Sequence, residues 1–201
     1  GDAMRKFKTA AAALPLMFIL LFAASCADSG TAVSDAENYI YAVRDDMLIK
    51  YNVHTGIATA VCEDPLCEHD SDDCLFYNAD PAVCVFDNKI YFCRHEENET
   101  ETIYEYDLSS GKSRKIRSDI ITDELYNVDS SIYLWNTAYD EEGQGLSLEL
   151  LRYETETGKW QELARVAPEE RGYYLSSDGE KIYWYNDFGE EYATDYEYLN
   201  R

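Results

Sequence analysis

Five cysteines and one histidine lie close together in the sequence, and their side chains are the ones best suited to chemistry. The densest stretch reads Cys62-Glu63-Asp64-Pro65-Leu66-Cys67-Glu68-His69-Asp70-Ser71-Asp72-Asp73-Cys74, and Cys84 and Cys93 follow it. Three thiolates with one imidazole form the donor set of a closed structural zinc site. The residues that match this set are Cys62, Cys67, His69 and Cys74. Their Cys-x4-Cys-x-His-x4-Cys spacing is not that of a standard zinc finger.

Disulfide bonds are the second interpretation of the same cysteines. The five thiols could form two bridges with one left over, and the sequence does not assign the pairs. Cys84 and Cys93 flank the Asp87-Asn88 turn, so they could be close across a hairpin. If the chain is exported, disulfides persist in its compartment, which favours this interpretation. Neither interpretation implies catalysis, because a redox site would have a Cys-x-x-Cys motif.

Four similar segments surround the cysteines and predict the elements that position them. Each centres on an Ile-Tyr pair in a run of β-branched and aromatic residues, which is typical of a strand. The pairs are Ile40-Tyr41, Ile90-Tyr91, Ile132-Tyr133 and Ile182-Tyr183. A second strand is predicted after each pair, at 48–53, 103–108, 148–153 and 196–199. In repeats one to three, a turn that contains glycine leads from this second strand to a third strand. In repeats two to four, a polar turn joins an earlier strand to the Ile-Tyr strand.

This repeat predicts an all-β fold of four-stranded antiparallel blades, as in a β-propeller. About four blades fall within 39–201, the first without its innermost strand and the last without its outermost. A Cys-rich insertion at 62–74 separates the first two. A β-sandwich is the alternative, since its strands are also short and evenly spaced, but a sandwich does not need an internal repeat. We therefore expect part of a longer propeller.

The N-terminal segment has the order of a secretory signal peptide. Residues 1–3 precede the Met and look like an expression-tag remnant. Residues 4–25 begin with a short positive stretch, continue with an uncharged apolar stretch and end in small residues. A permanent transmembrane helix is the rival interpretation, but Pro15 interrupts the apolar stretch, much of which is Ala, Thr and Ser.

The end of this segment, Ala23-Ala24-Ser25-Cys26, resembles a bacterial lipobox, although a lipobox usually has Leu where Ala23 stands. The resemblance implies that Cys26 is lipidated and becomes the mature N-terminus. Residues 26–38 are rich in Ala, Ser, Asp and Gly, which predicts a flexible linker.

The chain is strongly acidic, with 17 basic and 40 acidic residues and a net charge of −23. Such a surface repels nucleic acid, so no nucleic-acid partner is expected. The 18 Tyr, 7 Phe and 3 Trp argue against a disordered acidic chain, because disordered chains are poor in aromatic residues. The sequence therefore predicts a folded domain after the linker.

The repeated Ile-Tyr and Tyr-Asp-x-x-x-Gly-Lys patterns resemble those of receptor-type and TolB-like β-propellers in exported lipoproteins. The Cys-x-Asp-Pro-x-Cys-x-His segment is similar to segments of Gram-positive, clostridial-type propeller lipoproteins. This resemblance covers roughly residues 38–201 and implies a binding or scaffolding module with a protein, peptide or glycan ligand. The lipid on Cys26 would hold it at the outer face of the cytoplasmic membrane.

Two other functions remain compatible with the sequence. One is a polysaccharide-active propeller enzyme, whose paired carboxylates would not stand out among 40 acidic residues. The other is a zinc-binding or metal-linked sensor built on the Cys/His cluster. The sequence singles out no catalytic residue, which favours a non-enzymatic module, and zinc is the one cofactor that it suggests. It does not specify the oligomeric state.

Overall fold

The computed structural model describes residues 38–96, 100–139 and 145–195. Within these ranges the regular structure is almost entirely β, which confirms the predicted fold class. The strands form four antiparallel sheets, here called blades 1 to 4, in which strands adjacent in sequence are adjacent in space. In the same ranges, no helix has the length and hydropathy needed to cross a membrane.

The blades follow one another along the chain. Blade 1 contains β1 (Tyr39–Arg44), β2 (Met47–Asn52) and β3 (Ala58–Ala60). Blade 2 contains β4 (Ala79–Phe86), β5 (Lys89–His95), β6 (Glu101–Asp107) and β7 (Lys112–Ile120). Blade 3 contains β8 (Tyr126–Val128), β9 (Ser131–Tyr139), β10 (Gly145–Glu154) and β11 (Lys159–Val166). Blade 4 contains β12 (Ser176–Ser177), β13 (Lys181–Tyr185) and β14 (Glu191–Asp195).

The strand that follows Ile182-Tyr183 in blade 4 lies earlier than the sequence predicts. β14 pairs with β13 from Glu191 to Asp195, whereas the prediction placed this strand at 196–199, outside the described residues. A short turn causes the difference. The Asn186 side-chain oxygen accepts the N–H groups of Phe188 (3.0 Å) and Glu190 (2.9 Å), so the chain reverses within a few residues of β13.

The Tyr-Asp-x-x-x-Gly pattern is a turn signal. In blade 2, the Asp107 carboxylate accepts the N–H groups of Ser109 (2.9 Å) and Ser110 (2.8 Å). The Gly111 N–H then donates to the Asp107 carbonyl at 2.9 Å. Gly111 has a φ of +66°, which a residue without a Cβ adopts at little cost. The pattern thus fixes the length of the turn between β6 and β7 and therefore the register in which the two strands pair.

The Ile-Tyr pair explains how consecutive blades pack. Successive strand residues point to opposite faces. Ile90 accordingly lies in the core between blades 1 and 2, and Tyr91 lies in the core between blades 2 and 3. Ile132 and Tyr133 repeat the arrangement one blade later. Blades 2 and 3 are therefore buried on both faces, with three cores between four sheets. A two-sheet sandwich has a single core, so the sandwich alternative does not describe this chain.

Blade 1 has one face that no described residue covers. Ile90, Ile132 and Ile182 are each 0% exposed, whereas Ile40, at the equivalent position of blade 1, is 57% exposed. At the three later positions this isoleucine is buried because a preceding blade packs against it. Ile40 lacks that neighbour within the described ranges.

Several predictions concern residues outside the described ranges. These are the tag remnant at 1–3, the signal peptide at 4–25, the lipidation site Cys26, and the linker as far as residue 37. They stay predictions of the sequence.

Candidate metal centre and loop rim

The three connections between blades lie at one end of the sheets. Because the strands run alternately up and down, the chain leaves the last strand of one blade and enters the next blade at the same end. The connections are 61–78, 121–125 and 167–175, and we call them, with the β13–β14 turn at 186–190, the loop rim. The opposite end carries tight turns such as that at Gly111. The three interblade connections, which include the segment with the cysteines and the histidine, therefore lie at the same end of the sheets.

The first connection, 61–78, is here called the Cys/His loop, and both of its ends are anchored to β2. The Val61 N–H donates to the Leu48 carbonyl at 3.1 Å, and the Leu48 N–H donates to the Phe76 carbonyl at 3.0 Å. All three side chains are buried in the core between blades 1 and 2. The loop is therefore part of the interblade packing.

Local turns bring the cysteines and the histidine together. The carbonyl of Asp64 accepts the Cys67 N–H at 3.2 Å, and the carbonyl of Ser71 accepts the Cys74 N–H at 3.0 Å. His69 adopts a φ of +59°, which is uncommon for a residue other than glycine. Its Nδ1 atom lies 3.7 Å from the Cys74 sulfur. The backbone thus folds inward around a small group of donor atoms.

The four residues that match a zinc donor set converge. Each of Cys62, Cys67, His69 and Cys74 offers one ligand atom, and these atoms all lie within 4.8 Å of one another. A tetrahedral zinc ion with Zn–S bonds of about 2.3 Å holds its ligand atoms roughly 3.7 Å apart. Small side-chain movements would therefore let all four contact one ion.

Burial affects the acid–base chemistry of this group. Loss of solvent around the thiol raises the pKa of Cys74 from 9.0 to about 11, and the neighbouring Cys67 and Cys62 add to the rise. An isolated thiol in this place stays protonated at neutral pH. A bound cation reverses the preference, because zinc ligates the thiolate and releases its proton.

The five described cysteines are all in the thiol form, without a disulfide among the described residues. Cys84 and Cys93 lie apart from the Cys/His loop, in the core between blades 2 and 3. In the β4–β5 register Cys84 is opposite Tyr91, so Cys93 is its diagonal neighbour. Diagonal residues are about 7–8 Å apart, whereas a disulfide needs Cβ atoms about 3.5–4.5 Å apart. The two residues pack as core thiols, and burial raises the pKa of Cys93.

Two ion pairs hold the Cys/His loop from either side. Arg94 of β5 donates to the Asp72 carboxylate at 2.6 Å, and Lys50 of β2 donates to Glu63 at 2.5 Å. The hydrogen bond from Lys50 lowers the pKa of Glu63. Two acidic residues of the loop are thus paired with basic side chains of blades 1 and 2.

A second cluster lies on the rim of blade 2 and was not predicted. His95 Nε2 is 3.3 Å from an Asp80 carboxylate oxygen, and His95 Nδ1 is 3.9 Å from a Glu101 oxygen. The other Glu101 oxygen accepts the Thr122 N–H at 3.1 Å. Residues 95 and 101 face each other in the β5–β6 hairpin, and only this pairing brings them together. In the sequence, Glu101 ends the acidic run Glu96-Glu97-Asn98-Glu99-Thr100-Glu101, and such runs are usually solvated turns.

Glu101 is buried, and this determines its protonation. Burial raises the pKa of Glu101 from 4.5 to about 7, and the charges of Asp80 and Asp123 add to the rise, while the Thr122 N–H opposes it. Burial also raises the pKa of Asp80. The cluster can therefore hold a proton close to neutral pH, and its three side chains could also ligate a cation.

The third connection is held by tryptophans. The indole N–H of Trp135 donates to the Gly172 carbonyl at 2.8 Å, and that of Trp184 donates to the Glu170 carbonyl at 3.0 Å. Arg171 also pairs with Asp123 of the second connection at 2.7 Å. These contacts satisfy the backbone of a segment that has little regular structure.

Exposed aromatic side chains lie on the same part of the rim. Tyr174 and Phe188 are 75% and 80% exposed, and Tyr173 and Tyr185 are partly exposed. The backbone N–H of Tyr173 donates to the carbonyl of Tyr185 at 3.1 Å, which places the two segments side by side. We call these four residues the aromatic patch. Sequence patterns did not separate them from the tyrosines that pack between blades.

Comparison with known proteins gives similar solved structures only. No family model matches the chain, and no curated protein matches it. TolB from Acinetobacter baumannii is 16% identical with a TM-score of 0.48, covering 78% of this chain and 38% of that one. The β-propeller domain of the Trilobed protease from Pyrococcus furiosus is 15% identical with a TM-score of 0.46, covering 73% and 47%. BamB from Moraxella catarrhalis is 12% identical with a TM-score of 0.46, covering 83% and 47%. The chain spans less than half the length of each of these proteins.

Proposed function

We propose that this protein is an exported, lipid-anchored binding module and that the loop rim is its ligand surface. The observation that carries the proposal is the difference between the two ends of the blades. In the described part of the chain, the three interblade connections and the exposed aromatic patch lie at one end, and the opposite end carries short turns. Binding residues are concentrated on loops that a rigid scaffold positions.

The chemistry of the rim favours a neutral or cationic ligand. The net charge of −23 repels anions, which argues against nucleic acids and polyanionic glycans. Exposed Tyr and Phe rings offer flat apolar surfaces with little side-chain entropy to lose, and such residues dominate many binding sites. Neutral glycans and cationic peptides are the ligand classes that meet both conditions.

The anchoring part of the proposal rests on the lipobox-like sequence before Cys26. We expect the full chain, expressed in a bacterium fed an alkyne-labelled fatty acid, to incorporate the label and to sediment with membranes. The Cys26→Ala variant should do neither. Equal labelling of both proteins would contradict lipidation at this residue.

The ligand surface can be tested with matched variants at the two ends. We expect Tyr174→Ala/Phe188→Ala to weaken binding to an array of neutral oligosaccharides and cationic peptides at least about tenfold, because buried aromatic contacts at interfaces contribute on the order of 2 kcal/mol each. Val53→Ala/Ile57→Ala removes exposed apolar side chains at the opposite end and should bind as the parent does. The reverse pattern would place the ligand surface elsewhere. Release of reducing sugar from the array would favour the polysaccharide-active alternative.

A further inference from the structure

We infer that Cys62, Cys67, His69 and Cys74 bind one structural zinc ion that fastens blade 1 to blade 2. The inference starts from the convergence of all four donor atoms within 4.8 Å. Three sulfurs and an imidazole nitrogen at these separations match the donor set of a tetrahedral zinc site.

The donor set selects the ion. Thiolate ligands favour zinc over magnesium or calcium, which prefer oxygen, and three Cys with one His fill a tetrahedral zinc shell. Two carboxylates of the loop are held by basic side chains, since Glu63 pairs with Lys50 and Asp72 pairs with Arg94. With four protein ligands the ion has no open position, so its role would be structural.

The position of the loop explains what the ion would stabilise. Cys74 is 2% exposed, and it lies in one core with Leu48 of blade 1 and Phe92 of blade 2. Cys62 and Cys67 pack against the same core. Blade 1 packs through this one face within the described chain, so the loop contributes a large part of its attachment. An ion that fixes the loop therefore also fixes the interface between the two blades.

Disulfide bonding explains the same geometry less completely. Any bridge between two of Cys62, Cys67 and Cys74 leaves the third thiol without a bridging partner in the cluster, since Cys84 and Cys93 lie in a different core. A bridge also does not involve His69. The backbone of this residue has a positive φ, and its ring nitrogen lies near the Cys74 sulfur. Zinc uses all four residues.

The zinc content of the full chain, purified without chelator, tests the inference. We expect one zinc per chain by elemental analysis, and a tetrahedral thiolate spectrum after exchange for Co²⁺. His69→Ala should lower zinc affinity at least about tenfold, and His69→Cys should restore it, because a set of four cysteines also binds zinc. Cys84→Ala is the matched control, a buried cysteine outside the cluster, and should keep the full zinc content.

Two results would overturn the inference. One is a metal-free protein whose native mass is lower by two hydrogens for each bridge among these cysteines. The other is zinc binding that survives His69→Ala unchanged, since the ion would then lie elsewhere. The half-buried His69 side chain lies in a loop, so its variants should fold, and circular dichroism would confirm it.

Discussion

The connection between blades 1 and 2 is held differently from the two connections that follow it. The Cys/His loop spans 61–78, whereas the later connections span 121–125 and 167–175. The two shorter segments reach their neighbours through hydrogen bonds to tryptophans, a buried glutamate and an ion pair. The long loop instead turns four potential metal ligands toward one point.

The difference indicates how a long irregular segment can remain ordered in a small β domain. Loops above about 12–15 residues without regular structure are uncommon in compact domains and are usually functional. A short connection can satisfy its backbone against adjacent strands. A longer one needs additional cross-links, and a metal ion supplies four at once. Each of the following predictions perturbs one connection and leaves the others in place.

The largest effect is expected from removal of the proposed zinc. A high-affinity zinc chelator should lower the free energy of unfolding by more than ~3 kcal/mol, because a structural zinc ion contributes about 10–16 kcal/mol in isolated zinc-finger peptides. Denaturant unfolding before and after chelation measures the change. Addition of zinc should reverse it, and Cys84→Ala should respond to the chelator as the parent protein does. An unchanged unfolding curve would mean that the loop does not depend on a metal.

The second largest effect concerns pH and the second connection. Glu101, which contacts Thr122, has a folded-state pKa of about 7, above the ordinary 4.5. The folded protein therefore binds more protons than the unfolded chain between these values. The associated stability is fully present below pH 4.5 and is lost as pH rises through about 7, by up to about 3 kcal/mol.

The Glu101→Gln variant should remove this pH dependence. Urea unfolding at several pH values between 4.5 and 8 would measure it, and the variant should show the flatter profile. His95, Asp80 and Asp123 face Glu101 and stay in place in both proteins. Glu180→Gln, at an exposed turn, should keep the parent profile. Parallel profiles for Glu101→Gln and the parent would contradict the buried, proton-binding role.

A smaller loss of stability is expected when the third connection is crowded. A Cβ on residue 172 would lie 2.3 Å from Trp184 Cδ1, and Trp184 is buried. Gly172→Ala should therefore cost about 2 kcal/mol, as overpacked sites do, with zinc content unchanged. Gly179→Ala meets no atom within 4 Å but has a φ of +90°, so it should cost only about 1 kcal/mol. Thermal unfolding of the two variants compares the stability lost by crowding at residue 172 with the stability lost by backbone strain at residue 179.

The smallest effect is expected at the ion pair between the second and third connections. Asp123 is exposed, so its pairing with Arg171 is screened by water. Asp123→Asn should change the free energy of unfolding by less than about 0.5 kcal/mol. A larger loss in a urea titration would show that this ion pair, rather than the tryptophans, fixes the third connection.

Features that depend on neighbours in sequence could be predicted well. Alternation along each strand places Ile90 and Tyr91 on opposite faces, and the structure puts them in different cores. The Asp107 and Gly111 turn was also encoded locally. The grouping of Cys62 with Cys74 could be predicted because all four potential metal ligands lie within one loop.

Features that depend on pairing between strands could not be predicted from local patterns. The acidic run before Glu101 indicates a solvated turn, and only the β5–β6 register shows that this residue is buried beside His95. The strand after Ile182-Tyr183 was misplaced for a related reason. Tyrosines recur from Tyr183 onward, so several registers alternate equally well, and the side-chain hydrogen bonds of Asn186 decide between them.

Amide hydrogen exchange of the zinc-loaded and chelated protein tests the central comparison most directly. We predict that chelation greatly accelerates exchange in 61–78, including the N–H groups of Cys67 and Cys74, while 121–125 and 167–175 keep their protection. Equal exchange before and after chelation in 61–78 would contradict a metal-held loop. Equal loss of protection in all three connections would contradict the claim that they are held independently.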